Sequence, residues 1–395
     1  MTPGEALTIV ERCARDEEID RFLIELLRFP TPQTDALEAD PQVKKCIATL
    51  IAPRLGKWTG NPGSIDRMGN LIWRLGGGPG GFLLMGYAMT YPAASMKDPF
   101  SGALVDGQPW GIAGPCAIGR GACEQKGALA AMLYAAAIVQ RAELSLRAPL
   151  VLAVSLAGET GRHNAAQFIL ENDNIGARAA IVGLGTGNRI CLGNKGRIDI
   201  EIIVHGKSAH SSMPSQGINA VDGFRRVMER LERLPLRTRH RGLGDATLTV
   251  THVRTEPAIS HTIPDRCHIM VDRRLLPGED PDAAVRQIRN ALEGIVGFKI
   301  EVSPGALMYP SEVAGDCALA ETLARAYREV TNGEPEFCYA SAALDAGLLN
   351  HAGLETLMFG PGDLRLAHTD HDLVALADVR KAAKIYAAAA LQLLA

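Results

Sequence analysis

Side chains that could bind a metal ion or take part in acid–base chemistry occur in short segments rich in glycine or in turn-forming residues. A single acid or histidine in such a segment is most often only solvated, whereas carboxylates and imidazoles brought together are the ligands that zinc uses to activate a water molecule. The segments are 98–107 (DPFSGALVDG), 119–127 (GRGACEQKG), 205–220 (HGKSAHSSMPSQGINA), 263–274 (IPDRCHIMVDRR) and 359–369 (FGPGDLRLAHT).

Two further residues could take part in chemistry by their type and position. Cys123 could act as a nucleophile, although a small cysteine beside an Ala-Gly turn more often packs in a core. His163 lies four residues after Glu159, so the two would share a face if the segment were helical, and His163 could then serve as a base. The alternative for His163 is a surface histidine. Asp370 and Asp372 are interpreted as loop acids.

Composition excludes several classes of protein. The 395 residues carry a net charge of −3 with both signs interspersed, which gives no reason to expect nucleic acid or anionic lipid as a partner. There is no apolar run long enough for a membrane span, and the amino-terminal stretch lacks the pattern of a signal peptide. The eight cysteines form no C-x-x-C pair, so we expect reduced thiols and a cytoplasmic protein.

The order of predicted elements favours two domains. Apolar strands at 70–75, 82–87 and 150–156 with an Ala-rich helix at 126–140 indicate α/β layering, preceded by one long helix at 3–28. From residue 194 the pattern changes to β-α-β-β-α-β, the order of a ferredoxin-like unit. We therefore predict an α/β domain of residues 1–193 plus 305–395, with an inserted domain of residues 194–304.

In order and spacing, the segments resemble those of the acetylornithine deacetylase, succinyl-diaminopimelate desuccinylase and carboxypeptidase G family of zinc metallohydrolases, which is aminoacylase-like. The resemblance covers nearly the whole chain. It implies a three-layer α/β/α metallohydrolase domain with an inserted ferredoxin-like dimerisation (lid) domain, and thus a homodimer formed through residues 194–304. It also implies two zinc ions that share a bridging acid, and a small-molecule substrate with a carboxylate.

Several positions to which the resemblance assigns metal or base functions carry unsuitable residues. Tyr87 stands where a histidine ligand is expected, and Met89 where an aspartate should steady that ligand. Gly158 replaces the general base, and Leu184 replaces an acidic ligand in a turn. The ligands of one of the two metal ions are therefore largely lost.

The ligands of the other ion are kept by type. The resemblance places Glu124 at the bridging acid, Glu159 at the second acid of the triplet and His368 at the last histidine. Three protein ligands with one open position are what a catalytic mononuclear zinc site requires. We therefore predict one zinc, cobalt or manganese ion per chain, with a protein that binds no metal as the alternative.

The resemblance assigns further residues to the substrate. His210 matches a histidine that helps to hold the oxyanion across the dimer interface, and Arg274 matches an arginine that grips a substrate carboxylate. His261 stands in place of an asparagine, and Asp345 matches an aspartate whose flanking residues differ. Two residues near the metal positions are also predicted to contact substrate, namely Tyr87 and Cys123. An ion pair inside the inserted domain is the alternative for Arg274.

Three functions remain open at this point. The first is a one-metal amidohydrolase that cleaves the C–N bond of a small N-acyl, N-carbamoyl or dipeptide-like carboxylate, with His163 or Asp345 replacing the missing base. The second is a catalytically inactive pseudoenzyme or binding subunit. The third is a metal-independent enzyme of cyclisation, transfer or lyase chemistry, built on Tyr87, Cys123 and His261. The first is preferred because the losses fall on one ion and spare the other.

Overall fold

The computed structural model describes residues 1–237 and 239–395, which form two compact units. The first unit consists of Met1–Gly193, Glu312–Tyr339 and Leu348–Ala395, and the second consists of Asn194–Ser311 and Ala340–Gly347. None of the helices in the described ranges has the length and apolar character that crossing a membrane requires.

The helices and strands have the following bounds. The helices are α1 Pro3–Cys13, α2 Asp16–Arg28, α3 Pro41–Cys46, α4 Ala52–Thr59, α5 Gly127–Arg141, α6 Asn164–Asn172, α7 Ala220–Leu231, α8 Pro281–Leu292, α9 Ala318–Thr331, α10 Asp345–His351 and α11 Leu376–Leu394. The strands are β1 Ser64–Ile65, β2 Leu71–Leu75, β3 Gly81–Tyr87, β4 Ala103–Asp106, β5 Pro115–Ile118, β6 Leu150–Ser155, β7 Ala177–Gly183, β8 Ile190–Asn194, β9 Gly196–His205, β10 Ala209–His210, β11 Thr247–Glu256, β12 Thr262–Ile263, β13 Arg266–Leu275, β14 Lys299–Met308, β15 Ser311–Glu312, β16 Phe337–Ala340, β17 Glu355–Phe359 and β18 Leu373–Ala375.

The main sheet of the first unit has the order β1-β2-β6-β3-β7-β17-β8-β15, with β16 beside β8. Its central strands β6, β3, β7 and β17 run parallel to one another. Strands β3 and β6 are buried along their whole length, as expected of a sheet that is covered on both faces. The predicted α/β fold is confirmed.

The single helix predicted at 3–28 is wrong, because the chain forms α1 and α2 with a break at Ala14 and Arg15. The backbone of Arg15 is extended, and its N–H and C=O bond instead to the hydroxyl of Tyr134 in α5, at 2.6 Å and 2.8 Å. Tyr134, 119 positions along the chain, thus satisfies the backbone N–H and C=O of Arg15 that a continuous helix would have satisfied.

A small antiparallel sheet of order β18-β5-β4 joins two distant parts of the first unit. It pairs Leu373 with Ile118 and Ala375 with Cys116. Strand β5 is thus the middle strand of this sheet. The sheet also brings the segment before Glu124 next to the segment after His368.

The sheet of the second unit has the order β11-β13-β9-β14, and all of its pairings are antiparallel. With α7 following β9 and α8 following β13, this is the ferredoxin-like arrangement that the sequence predicted. Apolar residues at every second position of β9 are buried, and α7 and α8 pack on this core.

The boundary that the sequence placed at 304 lies inside β14. Pro304 is beside an irregularity in the pairing of β14 with β9, where a strand tolerates proline. The second unit continues to Ser311 and also contains residues 340–347, so it is larger than the predicted insertion.

Candidate metal centre

The predicted site residues of the first unit lie at the carboxyl ends of its parallel strands. Tyr87 ends β3, Leu184 follows β7 directly, and Glu159 comes four residues after β6. His368 lies in the loop that follows β17. Ligands of open α/β sheets bind at this edge, so the topology collects these side chains where a site is expected.

Glu124 is placed by a π-helical turn, Ala122–Lys126, that leads into α5. The N–H of Gly185 donates to the carbonyl of Glu124 at 2.8 Å, which fastens this turn to the loop after β7. A side chain at Gly185 or Gly362 would meet the carbonyl oxygen of Cys123 at 1.8 Å or 2.2 Å. Both glycines therefore allow loops from two strand ends to approach the backbone beside Glu124.

The acids and the histidine of the predicted trio come together. His368 Nε2 lies 2.9 Å from Glu124 Oε2 and 3.7 Å from Glu159 Oε2, and one ligand atom from each residue lies within 4.8 Å of the others. Two ligand atoms about 2.1 Å from a tetrahedral zinc ion are roughly 3.4 Å apart. The spacing thus suits one zinc ion, and the same donors suit cobalt or manganese.

The electrostatics of the trio also fit a cation. Burial, and then the charge of Glu124, raise the pKa of Glu159 to about 8. The hydrogen bond with Glu124 raises the pKa of His368 above its ordinary value. Two carboxylates whose side chains are only 13% and 10% exposed repel each other unless a proton or a metal ion lies between them.

Two residues that orient the trio, Tyr91 and Asp372, were not found by sequence reasoning. The ring of Tyr91 stacks on His368, whose backbone is left-handed with φ 61°. Asp372 is fully buried and accepts the N–H groups of Gly121 at 2.6 Å and Cys123 at 2.9 Å. It also pairs with the buried Arg120 at 3.3 Å. Asp372 is a loop acid, as the sequence indicates, but it is buried and connects the Glu124 turn to the His368 loop.

The unsuitable residues at the other metal positions are all well packed. Tyr87 is 6% exposed, and its hydroxyl donates to Glu159 Oε1 at 3.2 Å. Met89 and Leu184 are 0% and 1% exposed. A side chain at Gly158 would meet the ring of Tyr87. These positions offer neither a ligand for a second ion nor the expected base.

Comparison with known proteins decides the family. The sequence profile of Peptidase family M20/M25/M40 matches residues 92–392. The chain belongs to this family. This family consists of amidohydrolases and metallopeptidases. The match confirms the resemblance that the sequence motifs indicated.

Proteins of similar sequence or structure match most of the chain. The uncharacterized protein YgeY of Escherichia coli (strain K12) is 26% identical over 97% of this chain and 96% of its own length. An acetylornithine deacetylase of Myxococcus xanthus is 28% identical over 68% of this chain and 70% of its own. The M20 metallo-carboxypeptidase Sso-CP2 of Sulfolobus solfataricus has the same fold, with a TM-score of 0.76 at 17% identity over 95% of this chain and 99% of its own.

Two predictions for this M20 chain are wrong in their structural premise. Cys123 is fully buried, and burial raises the pKa of its thiol well above the ordinary value, so it is not a poised nucleophile. His163 does not share a helical face with Glu159, because α6 begins only at Asn164. Nor is it a surface residue, since it is 5% exposed.

The predicted substrate residues of the second unit are placed as follows. His210 and His261 lie on the paired strands β10 and β12 or next to them, with ring centroids 5.9 Å apart. The N–H of Ser212 donates to His210 Nδ1 at 3.2 Å. Since Nδ1 accepts this bond, the proton of the neutral ring is on Nε2, which is free to donate to an oxyanion.

Arg274 and Asp345 belong to the same unit. Arg274 forms a two-point ion pair with Asp272, at 2.8 Å and 3.0 Å, so the interpretation as an internal ion pair agrees with this geometry. Asp345 begins α10 and is 8% exposed.

Proposed function

We propose that this chain is a one-metal amidohydrolase. It hydrolyses the C–N bond of a small N-acyl, N-carbamoyl or dipeptide-like carboxylate. The observation that carries the proposal is the convergence of Glu124, Glu159 and His368 within metal-binding distance. The M20 profile and the relative named acetylornithine deacetylase support this class of reaction.

The three residues would hold zinc, cobalt or manganese through one carboxylate oxygen each and His368 Nε2. When bound, such an ion polarises the scissile carbonyl and lowers the pKa of a water molecule. The chain's own part is to hold the donors: Tyr87 fixes one oxygen of Glu159, and Tyr91 fixes the plane of the imidazole.

Residues of the second unit would complete substrate binding. We propose that His210 donates from Nε2 to the developing oxyanion, with the partner chain of a homodimer supplying it. Arg274 would bind the substrate carboxylate, for which it must exchange its present partner Asp272. These roles rest on the family resemblance.

No side chain can act as base at Gly158. Loss of a general base typically lowers a rate by about 10²–10⁴, which a slow or specialised enzyme tolerates. Asp345 remains the proposed substitute. Met89 and Leu184 are buried and apolar, and they stand at the positions of a ligand-steadying aspartate and of an acidic ligand. They favour a second candidate, a protein that binds an M20-type ligand without turning it over.

Metal content per chain tests the proposal. Stripped protein is reloaded with zinc, cobalt or manganese, desalted and analysed for the element. We expect close to one ion per chain in the wild type and close to none in Glu159→Ala and His368→Ala. His371→Ala is the matched control, because His371 is an exposed histidine of the same loop that contacts Trp110 instead of the trio. A wild type that retains no ion with any of these metals would refute the proposal.

Activity of the loaded protein is then measured on N-acetyl and N-carbamoyl amino acids and on dipeptides. Hydrolysis that disappears in Glu159→Ala and persists in His371→Ala supports the amidohydrolase. Stoichiometric metal without turnover of any of these classes would favour the binding protein.

A further inference from the structure

Gly158 is a glycine for reasons of space and not of backbone conformation. Its backbone lies outside the left-handed region, so an L-residue would meet no conformational penalty there. A Cβ at this position would instead lie 2.3 Å from Cδ2, 2.4 Å from Cγ and 2.7 Å from Cε2 of Tyr87. The ring of Tyr87 occupies the place where any side chain of residue 158 would begin.

The ring cannot easily move aside. The clash involves Cγ, which is set by the first side-chain torsion and does not belong to a flexible end. Tyr87 is the last residue of β3, which is hydrogen-bonded to β6 on one side and to β7 on the other. Its hydroxyl is also engaged, since it donates to Glu159 Oε1 at 3.2 Å.

We propose that Tyr87 and Gly158 are a matched pair, and that Tyr87 is a positioning residue of the metal centre. Its ring bars a side chain, and therefore a base, from position 158, while its hydroxyl holds Glu159 toward Glu124 and His368. Neither position can change alone: an acid at 158 meets the ring, and a smaller residue at 87 leaves a void and releases Glu159. The second part of this inference rests on the proposed metal-binding function, whereas the pairing itself does not.

A double-mutant cycle on metal-free protein tests the pairing. Gly158→Ala should lower the Tm of the wild type by roughly 2–5 °C, the range expected for overpacking a filled site in a unit of this size. In a Tyr87→Ala background the same substitution should shift Tm by no more than about 1 °C. Gly77→Ala is the matched control, since nothing lies within 4 Å of its Cβ position and its backbone is not left-handed.

Equal losses of Tm in both backgrounds would overturn the pairing, because the ring would then not be what excludes the side chain. If Gly158→Ala does not fold but Tyr87→Ala/Gly158→Ala does, the pairing is supported as strongly. If neither Gly158→Ala nor Tyr87→Ala/Gly158→Ala folds, then removing the ring does not relieve the clash, and the pairing is refuted. Gly158→Glu compared with Tyr87→Ala/Gly158→Glu repeats the comparison with an acid at 158, and the double variant should have the higher Tm, because alanine at 87 has no Cγ to overlap the new side chain.

Tyr87→Phe separates the hydroxyl from the ring. In a Tyr87→Phe background, Gly158→Ala should lower Tm as much as it does in the wild type, because the ring is still present. Tyr87→Phe alone should weaken zinc binding by about 10-fold, as loss of a hydrogen bond to a metal ligand does. The zinc Kd is measured by competition with a chromophoric chelator. A wild type that binds none of zinc, cobalt and manganese would refute the proposed function and the positioning role but leave the pairing standing. An unchanged Kd in Tyr87→Phe would refute the positioning role alone.

Discussion

The ring of Tyr91 lies flat against the imidazole of His368, with centroids 3.8 Å apart and an angle of 14° between the planes. His368 is the most exposed member of the trio, with 42% of its side chain accessible. Stacking therefore restrains the rotation of a ring that solvent leaves free on its other side. It keeps Nε2 directed at Glu124 Oε2, 2.9 Å away.

Replacing Tyr91 should weaken metal binding. Tyr91→Ala removes the stacked ring, and we expect the zinc Kd to rise about 10-fold, at the lower end of the effect of residues that orient metal ligands. Tyr91→Phe keeps the ring and should bind zinc as the wild type does. The Kd values come from chelator competition, and equal affinity of the alanine variant would show that stacking does not orient His368.

Asp372→Ala should strongly destabilise the first unit. Removal of this carboxylate leaves the buried Arg120 without its ion-pair partner and two backbone N–H groups without their acceptor. Breaking a buried ion pair on one side costs about 3–5 kcal/mol. Urea unfolding of metal-free protein measures the loss. Asp370→Ala, an exposed acid two residues away that bonds to Ser95, should cost less than about 1 kcal/mol.

Glu159 should make the stability of the metal-free protein depend on pH. Because burial and Glu124 raise its folded-state pKa from 4.5 to about 8, the folded chain holds a proton that the unfolded chain has released. This stabilisation is full below about pH 4.5 and is lost as the pH rises through about 8. Relative to Glu159→Gln, the wild type should therefore lose free energy of unfolding between pH 5 and pH 8.

Urea midpoints of both proteins at several pH values, with a chelator present, give this difference. Glu171→Gln serves as the control, because Glu171 is an exposed acid bonded to Gln167. Parallel curves for the wild type and Glu159→Gln would show that the carboxylates do not share a buried site.

Cys123 should be unreactive in the folded protein. Its thiol is buried and its pKa is raised, whereas Cys338 is partly exposed and a hydrogen bond from Cys191 lowers its pKa. Alkylation with iodoacetamide followed by peptide mapping should modify Cys338 well before Cys123. Cys123→Ala should keep its activity. Rapid labelling of Cys123 would reopen the nucleophile hypothesis.

His210 should contribute to turnover and not to metal binding. His210→Ala should lower kcat by about 10²–10³, the usual effect of losing an oxyanion donor, with unchanged zinc content. Ser212→Ala should have little effect, since the backbone N–H that sets the tautomer remains. Equal kcat for His210→Ala and the wild type would exclude the donor role.

The spacing of apolar residues along the chain predicted helices and strands well where no distant residue interrupts them. The strands expected at 82–87 and 150–156 and the helix expected at 126–140 agree with the structure to within one residue at each boundary. The β-α-β-β-α-β order of the second unit's main sheet and its two packed helices was also predicted. The break at Arg15 could not be predicted, because its cause is the hydroxyl of Tyr134 on another helix. Element boundaries follow local spacing, but a tertiary partner can override it.

The site was predictable only in its residue types. Motif spacing identified Glu124, Glu159 and His368 before their donor atoms were seen to converge. Tyr91 and Asp372 gave no such signal, since a tyrosine in a loop and one acid among several carry no periodicity. The burial of Cys123 likewise depends on loops that approach from the ends of β7 and β17, which a local reading of its motif does not contain.

The ladder between β5 and β18, together with Asp372, fixes the Glu124 turn to the His368 loop through contacts that involve no ion. The donors are thus preorganised, and an arriving cation has little backbone left to order. This centre should differ from structural zinc sites, in which folding and metal uptake are one event. Chelation should leave a folded apoprotein that reloads rapidly and reversibly, so that metal supply could regulate the protein without exposing it to unfolding.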